Sequence, residues 1–210
     1  MARKKRVWWP GASYHIMSRG NHRLEIFRDD EDRYVYLSML AQVKDRHPFK
    51  LHAYCLMSNH VHFQLETIET DPGKIMKLLT MKYAIFFNKK YRFVGQLMQG
   101  RFQAEAIEDD RYFLALNRYI HLNPVKAGIV PRPRDYQWSS YNVYMEGIEP
   151  SPVDTVKTLG YFTAPKISRF EQFTVGGLLA DNTSDFCLPK KLELDDDAEE
   201  EITDTEQVKA

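Results

Sequence analysis

Hydrophobic and polar positions divide the first two thirds of the chain into short alternating runs and longer helical ones. Residues 12–19 alternate around Tyr14, His15 and Ile16 and predict a first strand, closed by the turn chemistry of Gly20-Asn21. Asp29, Asp30, Glu31 and Asp32 then supply a negative helix start. Tyr34, Leu37, Leu40 and Val43 follow at a spacing that predicts a helix as far as His47-Pro48. Residues 50–66 predict two strands joined by a tight turn near Ser58-Asn59. Pro72 opens a second helix, with Ile75, Leu78, Leu79, Ile85 and Phe86 on its apolar side. Residues 100–107 predict a fourth strand. Asp109-Asp110 begins a third helix that runs to about Asn123, where Pro124 blocks simple continuation. Strand, helix, strand, strand, helix, strand is the order of an α+β, ferredoxin-like antiparallel sheet, here with an extra helix. Residues 124–146 are expected to wrap this core, anchored by Trp138 and Tyr141.

Composition changes the picture mainly through charge. The 29 Lys and Arg balance the 29 Asp and Glu, but nine of the acids lie between Glu193 and Glu206. Residues 1–192 alone hold 28 basic against 20 acidic side chains, a net of +8 that favours polyanionic partners. The expected domains are therefore residues 1–149, a C-terminal extension over 150–191 after Pro150-Ser151-Pro152, and a disordered acidic tail over 192–210. The tail either solubilises the protein or shields its basic surface. If it shields, truncation after Lys191 tightens single-stranded DNA binding at low salt, and the gain shrinks as salt is added. Cys55 and Cys187 are too few for a disulfide framework or a four-cysteine zinc site. No apolar run approaches the roughly 18–20 residues of a membrane span. Trp8-Trp9-Pro10-Gly11 stands where a secretory signal would be apolar, so a cytoplasmic protein is expected.

Two motifs carry possible chemistry. On a strand, His60, His62, Gln64 and Glu66 share one face while Val61, Phe63 and Leu65 take the other. Two imidazoles spaced in this way can converge on one metal ion, or can simply be polar residues on a strand. In the run Arg118-Tyr119-Ile120-His121-Leu122-Asn123-Pro124, Tyr119 and Asn123 stand one turn apart on one helix face. A tyrosine beside an amide can be structural, since a phenol needs a hydrogen-bond partner. Beside a metal-bound phosphodiester it can instead be a nucleophile that leaves a phosphotyrosine.

Together these residues resemble the HUH single-tyrosine transposases. The REP-associated branch is matched by Trp9-Pro10-Gly11-Ala12-Ser13-Tyr14-His15, Ser18-Arg19-Gly20-Asn21 and Met57-Ser58-Asn59-His60-Val61-His62. Gly100-Arg101-Phe102, the run from Arg118 to Gly128 and the run from Asp135 to Tyr141 continue the match in the same order. The resemblance implies a nuclease that cuts single-stranded DNA beside a hairpin and holds the 5′ end on tyrosine. It places the nucleophile at Tyr119 and the metal ligands at His60, His62 and Asn123. The ion is expected to be Mg²⁺ or Mn²⁺, which suit phosphate ligation. Insertion-sequence relatives typically carry Gln at the third ligand. The shorter Asn123 then requires an ion nearer its helix or one held less tightly.

DNA contacts are expected from the basic arm Arg3, Lys4, Lys5 and Arg6, and from Arg19, Arg23, Arg101 and Arg118 near strand ends or the tyrosine helix. Trp8, Trp9 or Tyr14 are candidates for stacking on unpaired bases. Lys89, Lys90 and Arg92 beside Tyr91 read as either a solvated helix end or a second contact. The expected partner is single-stranded hairpin DNA, with no membrane, and the protein is a monomer or homodimer. Two other classes compete with this reading: a catalytically idle hairpin-binding protein, and a metal-dependent phosphoesterase that uses water.

Overall fold

The computed structural model describes residues 8–149 and 151–180. The Arg3–Arg6 arm, Cys187 and the acidic tail lie outside the described residues. Strand β1 (Ser13–Arg19) leads to helix α1 (Asp30–Arg46), then strands β2 (Phe49–Leu56) and β3 (His60–Thr67), helix α2 (Pro72–Tyr91) and strand β4 (Gln103–Ala106). The sheet order is β2-β3-β1-β4, with every neighbouring pair antiparallel. This is the expected ferredoxin-like arrangement. Helices α3 (Asp110–Lys126), α4 (Tyr141–Glu146), α5 (Val156–Gly160) and α6 (Lys166–Ala180) follow it.

The core sits between α1, α2 and one face of the sheet. Tyr36, Leu40 and Val43 from α1 and Ile75, Met76, Leu79, Tyr83 and Phe87 from α2 are buried with Tyr14, Ile16, Val61, Phe63 and Leu65. The Tyr36 ring lies 6.2 Å from Phe63 and 4.9 Å from Tyr83. Tyr83 donates its hydroxyl to the Ile26 carbonyl. The starts of α1, α2 and α3 are each capped by an aspartate. Asp29 and Asp32 form a reciprocal capping box on α1, Asp71 accepts from Gly73 N–H at 2.6 Å, and Asp109 accepts from Tyr112 N–H at 2.6 Å.

Several sequence expectations need correction. Tyr36 rather than Tyr34 faces the α1 core; Tyr34 is 63% exposed and meets the edge of Trp138. Ile85 is likewise exposed, because the buried stripe of α2 runs through Ile75, Leu79, Tyr83 and Phe87 at four-residue steps. The fourth strand is only Gln103–Ala106. Pro124 does not end α3: it lies in the last turn, where it forfeits only its own donor, and Ala127 N–H still reaches Asn123 O at 3.0 Å. At the end of α2, Lys89 and Arg92 are exposed, while Lys90 and Tyr91 are drawn into an ion network. Lys90 pairs with Asp29, Glu31 and Asp32 within 2.9 Å, and Tyr91 donates to Asp32 at 2.8 Å.

The chain after α3 folds back onto the sheet. Trp138 O accepts from Leu56 N–H at 2.9 Å, and Ser140 N–H donates to Tyr54 O at 3.0 Å, so this segment lines the β2 edge. Trp138 and Tyr141 are buried there as expected. The extension then packs on α3 through α6. Phe170 stacks on Tyr144 at 4.5 Å, and Gly177 lies so close to Arg118 that an added Cβ would stand 2.6 Å from Arg118 Cδ. Lys157 of α5 bonds Glu66 at 2.6 Å, joined by Lys50 at 3.0 Å and His52 at 3.3 Å.

Burial alone would raise the Glu66 carboxyl. Hydrogen bonds from Lys157 and Lys50, with the charges of Lys157 and His52, instead pull it down to about 2. A depressed carboxyl stabilises the fold above its ordinary value of 4.5 and loses that contribution as pH falls toward 2. Glu66→Gln is therefore expected to lower stability by about 1–2 kcal/mol at neutral pH. The gap to wild type closes near pH 2. Thermal unfolding followed by circular dichroism at both pH values checks this, and a gap independent of pH contradicts it.

Among the described residues, no helix is long and apolar enough to cross a membrane.

Candidate active site

Helix α3 lies across the second face of the sheet, so the polar side of β3 is buried rather than solvated. Gln64 donates to Phe113 O at 2.8 Å and accepts from the Asn117 side chain at 2.9 Å, which fixes α3 on the strand. Glu66 is committed to Lys50 and Lys157. Gln64 and Glu66 thus share the histidine face as expected but serve packing. Closer to the β2–β3 turn, His60 and His62 meet the other candidates. Their rings stand 4.9 Å apart and nearly perpendicular, at 88°. The Tyr119 ring is edge-on to His62 at 5.6 Å, and the Asn123 amide nitrogen lies 3.5 Å from His62 Nε2. The structure brings His60, His62, Tyr119 and Asn123 together within one chain.

Burial keeps His62 and His15 uncharged. Burial, followed by the neighbouring His15, His60 and Arg19, holds His62 well below the ordinary imidazole value, so it is uncharged at physiological pH. Burial likewise pushes His15 down to about 3. Asn59 Oδ1, only 2.6 Å from His60 Nδ1, can only accept. His60 therefore donates its Nδ1 proton to Asn59. Among the described residues, no group of three His, Cys, Asp or Glu side chains is placed to hold a metal. The third protein donor within reach is the neutral Asn123 carboxamide; its nitrogen faces His62 Nε2 here, so presenting Oδ1 to an ion requires the amide to turn over. Two neutral imidazoles and one amide oxygen fit an exchangeable divalent ion whose charge is balanced by a substrate phosphate.

Cationic side chains gather at the His60 end of the sheet. Arg19 is the cross-strand neighbour of His60. Gly20 N–H bonds Asn59 O at 2.8 Å, Asn21 N–H bonds Leu97 O at 2.8 Å, and Gln99 N–H bonds Arg19 O at 2.8 Å. The loops carrying Arg23 and Arg101 therefore meet beside β1, and both arginines are exposed. Gly20 is required here, since a Cβ would fall 2.0 Å from Leu24 O. His22 and Arg23 both hold left-handed backbone, at φ 49° and 57°, a strain of the kind that concentrates at binding loops.

Other candidates are placed differently. Arg118 is half-buried under α6, with its guanidinium 4.9 Å over Phe173, rather than open to solvent. Tyr14 is in the core on the opposite face from His15 and cannot stack on a base. Trp8 is half-buried and donates to Thr67 at 3.2 Å, whereas Trp9 is 49% exposed. His121, inside the tyrosine motif, turns away and bonds Ser140 at 2.7 Å. Sequence reasoning missed His15 and Asn59. The alternation that marked His60 and His62 also puts His15 on one face of β1, but only cross-strand register brings it to the site.

Comparison with known proteins places this geometry in context. Residues 10–123 match the model of a family described as IS200-like transposase. A Haemophilus influenzae Rd protein described as a REP-associated tyrosine transposase is 29% identical over 119 residues, covering 51% of this chain and 67% of that one. A solved structure of a REP-associated tyrosine transposase bound to a REP hairpin is similar with a TM-score of 0.59. That likeness is at 22% identity, over 71% of this chain and 89% of the other, and is one of fold.

Proposed function

Because the chain belongs to the IS200-like transposase family, we propose that it cuts single-stranded DNA beside a hairpin, holds the new 5′ end on Tyr119 and transfers it to another strand. One observation supports this above all: Tyr119 stands 5.6 Å edge-on from His62, with His60 and Asn123 completing the same pocket. One chain thus supplies all four of the proposed residues.

Exposed Arg23 and Arg101, with Arg19 beside His60, hold the DNA backbone at the mouth of the pocket. His60 and His62, oriented on β3, and Asn123, one turn beyond Tyr119, would hold Mg²⁺ or Mn²⁺. When bound, that ion neutralises the scissile phosphate and stabilises charge in the transition state. Tyr119 loses its proton and its oxygen bonds to phosphorus in line. The P–O3′ bond breaks, and the departing 3′ oxygen takes up a proton to become a hydroxyl. A phosphodiester is exchanged for a phosphotyrosine ester, so the same residues run the step backward when a 3′-hydroxyl of another strand is presented.

The test is a 3′-labelled hairpin oligonucleotide with single-stranded flanks, incubated with the full chain and Mn²⁺. The expected product is label that travels with protein under denaturing conditions. Free 5′-phosphate product without such a species points to water as nucleophile, and binding without cleavage points to an idle hairpin-binding protein. Either result contradicts the proposal.

A further inference from the structure

His15 makes a contact that the proposed chemistry does not use. Its Nε2 lies 3.0 Å from His62 Nδ1. The two rings are within 15° of parallel, with centroids 5.2 Å apart. The centroid separation exceeds the N···N distance by about two ring radii, so the rings meet edge to edge. That is the geometry of an in-plane N–H···N hydrogen bond rather than of face stacking. Both side chains are almost completely buried, so water does not compete for the bond.

The direction of this bond decides what His62 can do. A neutral imidazole carries one proton, and one of its nitrogens is the acceptor. The Asn123 amide nitrogen faces His62 Nε2 at 3.5 Å, an arrangement in which Nε2 accepts. The His62 proton is then on Nδ1 and is donated to His15 Nε2, while Nε2 turns its lone pair toward Asn123, His60 and Tyr119. The opposite direction would place a proton on the nitrogen that faces the pocket.

We propose that His15 is a positioning residue: by accepting the Nδ1 proton of His62 it fixes that ring's tautomer and plane, so that Nε2 is held ready to bind a divalent cation. The inference rests on the metal assignment of the proposed function. It adds to the same pocket a second orienting bond beside the one Asn59 makes to His60. Outer groups of this kind commonly tune metal affinity by about 10–100-fold.

Two measurements without DNA test it on the full chain. In the metal-free wild-type protein, long-range ¹H–¹⁵N correlation spectra are expected to show His62 protonated on Nδ1 with a bare Nε2. A His62 protonated on Nε2 overturns the proposal, and this reading needs no variant to fold. Mn²⁺ affinity, read by the loss of the free-ion paramagnetic resonance signal, is then compared for His15→Gln and His15→Leu. Gln keeps an accepting oxygen and is expected to bind nearly as wild type, while Leu is expected to bind about 10–100-fold more weakly. Leu binding as tightly as wild type, or both folded variants losing affinity equally, overturns the proposal. Tight Mn²⁺ binding with the expected tautomer but no covalent DNA species would sink the proposed function and leave this inference standing.

Discussion

Tyr119→Phe is expected to bind hairpin DNA like wild type yet form no covalent species and make no cut, while Tyr112→Phe still does all three. The two tyrosines lie on one helix, seven residues and about 10 Å apart along its axis. Only Tyr119 reaches the histidines, at 5.6 Å from His62 and 6.1 Å from His15. Tyr112 sits where its phenolate is disfavoured. Burial first, then the charges of Glu105 and Glu108, pushes its phenol well above the ordinary value, which makes it a poor source of phenolate. Phe preserves the ring and its edge contacts with both imidazoles, so the variant removes only the attacking oxygen. Loss of an essential nucleophile costs on the order of a thousandfold or more in rate. A denaturing gel with 3′-labelled hairpin substrate reads the result. Appreciable cutting by Tyr119→Phe contradicts the assignment.

The second large effect concerns the histidines. His60→Ala or His62→Ala is expected to reduce cleavage by at least about 100-fold, because phosphate charge in the transition state loses its metal stabilisation. Hairpin affinity is expected to change little, since the proposed backbone contacts come from Arg19, Arg23 and Arg101. The two variants should differ in stability. His62→Ala leaves His15 Nε2 buried without its bonding partner, at a cost of about 1–3 kcal/mol, whereas His60 is bonded to the more exposed Asn59. Chelation of wild type by EDTA is expected to match the loss of cleavage, and added Mn²⁺ to restore it in wild type alone. Full cleavage by the double variant in Mg²⁺ contradicts the metal assignment.

These expectations rest on parts of the sequence that were unequally legible. Period-two alternation in β3 separated His60 and His62 from Val61, Phe63 and Leu65, because strand geometry is local. The i, i+4 relation between Tyr119 and Asn123 was local in the same way. The burial of Gln64 and Glu66 was hidden, since polar residues on a strand read as a solvated face until another element covers it. Here α3 does so through Phe113 and Asn117, and α5 through Lys157. Long aromatic-rich helices were ambiguous in phase. Tyr34 and Tyr36 are equally apolar, and only packing against Phe63 and Tyr83 decides between them; for Ile85 and Phe87 it is tertiary burial that decides. His15 was out of reach for a further reason. Its direct cross-strand partner is Gln64, and it meets His62 only along the diagonal, so neither neighbour spacing nor strand alternation reveals it.

The most direct measurement of the central claim is the identity of the residue that carries DNA. The wild-type covalent species, formed on a hairpin oligonucleotide in Mn²⁺, is digested with nuclease and protease and sequenced by tandem mass spectrometry. The account predicts a nucleotide joined through its 5′-phosphate to Tyr119. A nucleotide on Tyr112 or any other residue, or no covalent species from a protein that cuts the DNA, contradicts it.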